Sequence, residues 1–291
     1  MIIKETRSLS QIQRSMRIRK IVKKTVLALI IYLVAITYFF PILYMFLSGF
    51  KTEQQAVKPS LRFSPTLETY KKVLSDPTMI AYLKNSVFQV ILGTGISLLF
   101  GIPVAFALVF GKLKTKDSSG KIYLWFITTI LLPPVAVLIP LFITYQKLNL
   151  KNNPLGLLLA YIGFNIPLAV WLIHSFFSDL PKDIFEAARI DGCSRWQQMV
   201  LMAIPLARTG IISAGLIIAV QIWNEFFLAF NLTGNPSATL SVYMSRFREQ
   251  QGLFVAQLSA SSTISILPAL ILGWMSQKAL VKGLTMGAVK E

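Results

Sequence analysis

The chain has 291 residues, of which 54% are hydrophobic and only 14% are charged. A soluble domain carries about 25% charged residues, so this composition favours a protein that lies within a bilayer. Lys and Arg number 29 against 12 Asp and Glu, but they lie between long apolar runs, where they indicate membrane topology and not nucleic-acid binding. One Cys and one His exclude a disulfide framework, a thiolate metal cluster and a His-rich metal site.

Six apolar segments meet or approach the roughly 20 residues that a helix needs to cross a bilayer core. None of the six contains Lys or Arg. The sequence therefore predicts an all-α integral membrane protein with six transmembrane helices. In chain order the predicted spans are 25–49, 86–110, 122–145, 155–177, 210–230 and 261–277.

The basic residues divide unequally between the two sides of the membrane. Roughly two thirds of the 29 lie before span 1, in alternate connections and after span 6, and the positive-inside rule makes that side cytoplasmic. Both termini are therefore predicted in the cytoplasm. The predicted organisation is a basic N-terminal segment 1–24, which touches anionic membrane lipid, a six-span domain 25–277 and a cytoplasmic tail 278–291.

Prolines punctuate the predicted spans. Each removes a backbone hydrogen bond, so we expect kinked helices. Either ordinary packing or a water-filled pathway could cover the freed backbone. The prolines are Pro41, Pro103, Pro133, Pro134, Pro140, Pro167 and Pro268.

The connection 178–209, on the predicted cytoplasmic side, has the signals of a helix-turn-helix. Pro181 suits a first helical turn, and Gly192 suits the left-handed residue that stops a helix. Ser194 followed by Gln197 is a capping-box pattern, which starts a second helix. The loop is therefore predicted to form a rigid knob for docking another protein, with a solvated amphipathic loop as the alternative.

Three short motifs in this loop carry a resemblance to a known family. Their order and spacing resemble the EAA loop of bacterial ABC-importer permeases, and further matching segments extend over nearly the whole chain. The chain is similar to the maltose-type carbohydrate branch, specifically to the six-span subunit of its two unlike permeases. Cys193 and Thr209 depart from the usual Ala and Pro. The loop motifs are Glu186-Ala187-Ala188, Asp191-Gly192 and Pro205-Leu206, and the further segments are 48–52, 85–86, 132–141, 223–226 and 283–290.

The resemblance implies a set of partners and a location. It implies a multi-pass protein of the bacterial cell membrane that forms a heterodimer with a second permease subunit. Two cytoplasmic ATPase subunits would hold ATP and Mg, so this chain itself would need no cofactor and would not be an enzyme. An extracytoplasmic binding protein would deliver solute to the connections 50–85 and 231–260. The residues implied in ATPase coupling are Glu186, Ala187, Ala188, Arg189, Asp191 and Gly192.

Polar side chains inside the spans are candidates for contact with a solute. Gln221, Asn224 and Glu225 have the i, i+3, i+4 spacing of one helical face, which should turn toward the bundle or the pathway. They could contact solute or bond one helix to another, and Glu225 is expected to be structural. Asn165 in span 4 has the same two interpretations. Tyr145 is a candidate because aromatic faces stack on sugar rings.

Two other functions remain open at this point. One is an ABC permease for a different solute, such as a polyol, a glycerol phosphoester or a peptide. The absence of basic residues from the spans favours neutral sugars over anionic solutes. The other is a self-sufficient ion-coupled carrier or an intramembrane enzyme, against which the scarcity of membrane carboxylates counts, since Glu225 alone lies inside a predicted span.

Overall fold

The structure is a computed structural model that describes residues 2–111, 116–249 and 254–288. Every regular element in these ranges is a helix, and Met199–Ala203 forms a π-helical segment. In chain order the α-helices are α1 Ile2–Ser48, α2 Glu53–Ala56, α3 Glu68–Leu74, α4 Pro77–Phe110, α5 Lys116–Ile130, α6 Pro134–Lys147, α7 Pro154–Ser178, α8 Lys182–Ile190, α9 Arg195–Gln198, α10 Ile204–Leu206, α11 Arg208–Asn224, α12 Phe227–Leu232, α13 Leu240–Glu249 and α14 Val255–Ala288.

The helical membrane architecture predicted from the sequence is confirmed. Within the described residues four helices are long and apolar enough to cross a membrane, and there are six if each of two bent pairs counts as one span. The unbroken spans are the whole of α4 and α7 and parts of α1 and α14, and the bent pairs are α5 with α6 and Arg195–Leu206 with α11.

Span 3 is not the single helix 122–145 that the sequence predicted. Its two halves, Ser118–Ile130 and Pro134–Lys147, meet at 87°. Pro133 has φ −68° and ψ 133°, which is extended backbone, and it precedes a second proline at the start of α6. Because a residue before proline is driven out of the helical region, the pair ends one helix and begins another. The other five prolines named above lie inside continuous helices.

The helices at the two ends of the chain run through the predicted domain boundaries. The N-terminal segment is continuous with span 1, because α1 begins at Ile2. At the other end α14 continues through the predicted tail as far as Ala288, and residues 289–291 lie outside the described part. The boundaries at 24 and 278 therefore do not coincide with helix ends.

The centre of the bundle is formed by α4, α7 and α11, which pack on one another. Every fourth residue of α4 from 89 to 105 is buried, and most of these residues are small. A Cβ built on Gly101 would lie 2.6 Å from the Cβ of Ala169 on α7, so the two backbones approach closely. Small residues let membrane helices approach in this way. The buried residues of this row, which we call the α4 seam, are Gln89, Gly93, Ser97, Gly101 and Ala105.

One end of the bundle, which we call the α13 end, is held by hydrogen bonds between distant segments. Asn85 Nδ2 donates to the carbonyl oxygens of Pro236 and Ala238 at 2.8 and 2.9 Å. Glu53 Oε2 and Oε1 accept from the backbone N–H groups of Ala256 and Gln257 at 3.0 and 2.9 Å, so this carboxylate caps the start of α14. These hydrogen bonds attach the connections 50–85 and 231–260 to the bundle and to each other.

An acid–phenol pair joins α13 to the start of α4. The Tyr243 hydroxyl donates to Asp76 Oδ2 at 2.6 Å, and the Thr78 N–H donates to Asp76 Oδ1 at 2.9 Å. Burial alone would raise the pKa of the Asp76 carboxyl, but these hydrogen bonds and the charge of Arg246 outweigh burial and hold that pKa below its usual value. Burial and the bond to Asp76 raise the pKa of Tyr243, so its hydroxyl stays a donor.

Candidate functional site

The loop at the opposite end of the bundle forms the predicted helix, bend and second helix. Helix α8 ends at Ile190 and is followed, after Asp191, by a left-handed Gly192 with φ +86°. Gly192 N donates to the Arg189 carbonyl at 3.3 Å, and Cys193 N donates to the Ala188 carbonyl at 2.9 Å. This pair of bonds is the Schellman arrangement, in which the left-handed residue is usually Gly.

The second helix of the loop begins with the predicted capping box. The Ser194 Oγ accepts from Gln197 N at 3.3 Å, and Gln197 Oε1 accepts from Ser194 N at 2.8 Å. Gln198, which is fully buried, donates from Nε2 to the Cys193 carbonyl at 2.9 Å and so closes the bend from inside. The chain then passes through the π-helical segment and α10 before turning by 80° into α11.

An aromatic cluster anchors α8 to the core of the bundle. Phe185 is 4% exposed, and its ring stacks on Phe110 of α4 with centroids 4.0 Å apart. Phe106 contacts Phe177 edge to face, with centroids 6.2 Å apart, and both rings belong to the same cluster. Helix α8 therefore packs on the end of α4, and the same α4 rings contact Phe177 of α7, so that movement of α8 is transmitted to α4 first and to α7 through it.

The six loop residues that the resemblance singled out divide between the two faces of this knob. Ala188 is buried with Phe185 on the inner face, whereas the other five are exposed. Glu186 and Arg189 line an open cavity of about 150 Å³ beside Phe110, together with Lys182 and Arg195. The exposed residues are Glu186, Ala187, Arg189, Asp191 and Gly192.

Large apolar side chains on the outer face of the loop were not predicted from the sequence. Ile190 is 87% exposed, Leu201 is 68% exposed and Trp196 is 66% exposed. Exposed apolar groups beside charged ones are typical of a surface that binds another protein. The exposure of Ile190 could have been predicted from the 3.6-residue period of α8, because Ile190 lies on a different face from the buried residues Phe185 and Ala188.

The four candidate solute contacts are not brought together in this structure. Tyr145 is buried and its hydroxyl donates to the Gly156 carbonyl at 3.0 Å. Asn165 is also buried and donates to the Tyr161 carbonyl at 2.8 Å, while its Oδ1 accepts no hydrogen bond. By contrast, Gln221 and Asn224 are exposed on α11. The last two are therefore the members of the set that a solute could reach.

Glu225 does not continue the helical face of Gln221 and Asn224, contrary to the prediction. Helix α11 ends at Asn224, and Glu225 is extended with ψ 121°. Its Oε1 accepts from Leu228 N at 2.7 Å, and its Oε2 accepts from Ala229 N at 3.1 Å and from the Tyr161 hydroxyl at 2.7 Å. The carboxylate thus caps α12 and ties it to α7, which explains the break in span 5.

Replacing Glu225 by Ala is expected to lower the stability of the chain by about 1–3 kcal/mol, because it leaves two N–H groups and one hydroxyl without their acceptor. The matched control is Asn224→Ala, since Asn224 donates only within its own helix, to the Val220 carbonyl at 2.9 Å. Thermal unfolding of both variants in detergent measures the difference. Equal melting temperatures for the two variants would show that the Glu225 cap of α12 contributes nothing to the stability of the chain.

Comparison with known proteins identifies the family. The model of the family described as "binding-protein-dependent transport system inner membrane component" matches residues 77–285. The chain belongs to this family. The matched region contains α4, the whole connection 178–209, which we call the docking loop, and most of α14, so the family resemblance predicted from the loop motifs is confirmed.

Two relatives cover almost the whole chain. The trehalose/maltose transport system permease protein MalG of Thermococcus litoralis is 32% identical over 93% of this chain and 98% of its own length. The sulfoquinovosyl glycerol transport system permease protein SmoH of Agrobacterium fabrum is 32% identical over 86% of this chain and 88% of its own length. Both alignments extend well beyond the docking loop.

Solved structures agree with this assignment. A chain in the crystal structure of a bacterial ABC transporter involved in the import of the acidic polysaccharide alginate is 25% identical, with a TM-score of 0.74 over 91% of this chain and 97% of its own. A chain of a bacterial alginate ABC transporter in complex with a pentasaccharide-bound periplasmic protein has a TM-score of 0.64 over 89% and 95%, at 18% identity. This chain is thus a membrane permease component of the ABC importer type.

Proposed function

We propose that this chain is one of two unlike permease subunits of an ATP-driven importer for a carbohydrate. The observation that carries the proposal is that a relative named for trehalose and maltose transport is 32% identical over 93% of this chain. A sugar-containing solute also appears in the name of the second relative, and the similar crystal structure comes from a polysaccharide importer. These names support carbohydrate as the class of solute.

The docking loop is proposed to couple transport to ATP hydrolysis in two partner subunits. Helix α8 would enter a cleft of a cytoplasmic ATPase, and the exposed carboxylate of Glu186 would pair with a basic residue there. Ile190 and Trp196 would bury their exposed apolar surface in the same interface. Because Phe185 packs α8 on α4, and α4 packs on α7, movement of the ATPase would tilt these helices as a rigid body and alternate the access to the pathway.

If the docking loop faces the cytoplasm, the other parts of the molecule have the following proposed roles. Both termini would be cytoplasmic, and the α13 end would face an extracytoplasmic solute-binding protein. ATP and Mg would be bound by the partner ATPases, so this chain would supply the pathway and no catalytic residue. Gln221 and Asn224 are its proposed solute contacts, because they are exposed on α11.

Purification under mild detergent from the native membrane tests the proposed assembly. We expect a second permease chain and a nucleotide-binding subunit to copurify with this chain, and Glu186→Lys to reduce the yield of the ATPase at least fivefold without reducing the yield of this chain. The control is Asp183→Lys, which reverses a charge in the first turn of the same helix. Transport by vesicles that contain this chain alone would overturn the proposal in favour of an ion-coupled carrier.

A further inference from the structure

The open cavity of about 150 Å³ between α8, the start of α9 and the end of α4, which we call the α8 cavity, has a cationic rim over an apolar floor. The floor is formed by Val109 and Phe110 of α4 and by Phe185, whose ring stacks on that of Phe110. The rim has three bases and one carboxylate, so its net charge is positive. The rim residues are Lys182, Glu186, Arg189 and Arg195.

The sequence of the docking loop places these four side chains together. Lys182, Glu186 and Arg189 have the i, i+4, i+7 spacing that puts residues on one side of a helix. The left-handed Gly192 then turns the chain, and Arg195 in the first turn of α9 completes the rim from the other side of the bend. The charges of the rim therefore come from two helices whose arrangement depends on the bend.

Arg195 is attached to the buried part of this bend. Its Nη1 donates to Gln198 Oε1 at 3.3 Å, and Gln198 Nε2 donates to the Cys193 carbonyl at 2.9 Å. Gln198 is fully buried, so the guanidinium is held by a side chain that cannot move into solvent. A guanidinium has five N–H donors and this bond uses one of them. Arg195 can therefore bind an acceptor in the cavity without leaving its own position.

A protein that docks on α8 has to balance the charge of this rim. Docking removes water from the rim, and a base that loses water without gaining an acidic partner is strongly unfavourable. Glu186 can balance one of the three bases at most. A carboxylate on a short apolar stem matches the rest, because a guanidinium binds both carboxylate oxygens and the stem can pack on the aromatic floor.

We propose that the α8 cavity receives the side chain of one Asp or Glu of the partner ATPase, with its carboxylate bound by Arg189 and Arg195 beside Lys182. This inference rests on the proposed function, because it requires an ATPase that docks on α8. The interface then pairs charges in both directions: Glu186 binds a base of the ATPase, and the cavity binds one of its acids. Two pairs of opposite polarity fix the orientation of the docked subunit, since a rotated subunit would bring like charges together.

The test is carbodiimide coupling in the complex purified under mild detergent from the native membrane, because carbodiimide joins an amine to a carboxylate without a spacer. We expect an amide bond between Lys182 Nζ and one Asp or Glu of the ATPase subunit, identified by peptide mass spectrometry. Lys182→Arg keeps the charge but removes the amine, so it should retain the ATPase and lose the product. Lys24, an exposed lysine of α1 outside the described lining of the cavity, should not couple to that carboxylate.

Charge variants test whether the contact contributes to binding. Arg189→Gln should reduce the yield of the ATPase about tenfold, because a hydrogen bond between charged groups contributes at least that factor. The matched control is Arg19→Gln, at an exposed arginine of α1 on the same predicted side of the membrane, which should leave the yield unchanged. Arg189→Glu combined with replacement of the coupled ATPase carboxylate by Arg should restore the binding that either change alone removes.

The outcomes distinguish this inference from the proposed function. If no ATPase copurifies with the chain, the proposed function fails and the inference fails with it. If the ATPase copurifies and Glu186→Lys removes it, but Lys182 couples only to acids of its own chain or to a lipid headgroup, the inference alone is overturned. Equal losses for Arg189→Gln and Arg19→Gln would also overturn it, because they would reduce the effect to general electrostatic attraction.

Discussion

Gly192→Val is expected to reduce transport at least several-fold while leaving the chain inserted in the membrane. The residue has φ +86°, and a left-handed backbone costs a residue with a side chain about 1–3 kcal/mol, most for a β-branched one. A Cβ at this position would meet no atom within 4 Å, so the strain comes from the backbone and not from a collision. The bend opens, and α8 and α9 no longer form one rigid knob.

The size of the loss in transport depends on the equilibrium between the native bend and an opened loop. A cost of about 1.4 kcal/mol lowers the ratio of the native bend to an opened loop tenfold. The measurement is transport in vesicles, together with the amount of ATPase that copurifies. Gly192→Asn is the matched control, because Asn tolerates the left-handed region, and it should retain most of the activity. If Gly192→Val transports at the normal rate, the loop is not the coupling element.

Gly101→Leu is expected to be the most destabilising single substitution in the α4 seam. Even the first carbon of the new side chain would lie 2.6 Å from the Cβ of Ala169, and the Ala169 and Val170 backbone is 3.4 Å away. Backbone cannot rotate aside as a side-chain tip can, so α4 and α7 must separate. Overpacking of this kind costs about 1–3 kcal/mol, and the three further carbons of Leu place this substitution at or above the upper end.

Gly95→Leu provides the control for this substitution. Gly95 lies on the same helix and is exposed, and a Cβ added there would meet no atom within 4 Å. Both variants gain the same helix propensity, so a difference in melting temperature or in folded yield reports the contact with α7 alone. We expect Gly95→Leu to be at least as stable as the unsubstituted chain, because it gains helix propensity without a collision. Similar behaviour of both variants would mean that α4 and α7 can move apart without cost.

Local signals in the sequence were sufficient to predict the structure of the docking loop. The stop at Gly192 and the start at Ser194 depend on residues within five positions of each other, and the structure contains both. The apolar segments were also predictable from local sequence, because each is a continuous run of apolar residues. The break at Pro133 was also foreseeable from the sequence, although its angle of 87° was not, because the angle depends on what α5 and α6 pack against.

Other features depend on residues that are far apart in the chain. Helix α11 ends just before Glu225, whose hydrogen-bond partner Tyr161 is 64 positions away in the chain. Helical periodicity alone could not reveal this contact, so the predicted span 5 wrongly ran through Glu225. The Phe185 cluster combines three separate helices in the same way. The α4 seam was different, because its four-residue repeat is visible in the sequence and a search for small residues at that spacing would have found it.

The unequal burial of the spans gives the chain a graded local stability. In α1 none of the most apolar 18-residue stretch is buried against the rest of the chain, whereas in α7 that share is 61%. Helices that hold few internal contacts open with a small free-energy cost, and those at the centre open only with the whole fold. Amide hydrogens of α7 should therefore exchange last, and the contacts of α1 with the rest of the chain should be the first to separate.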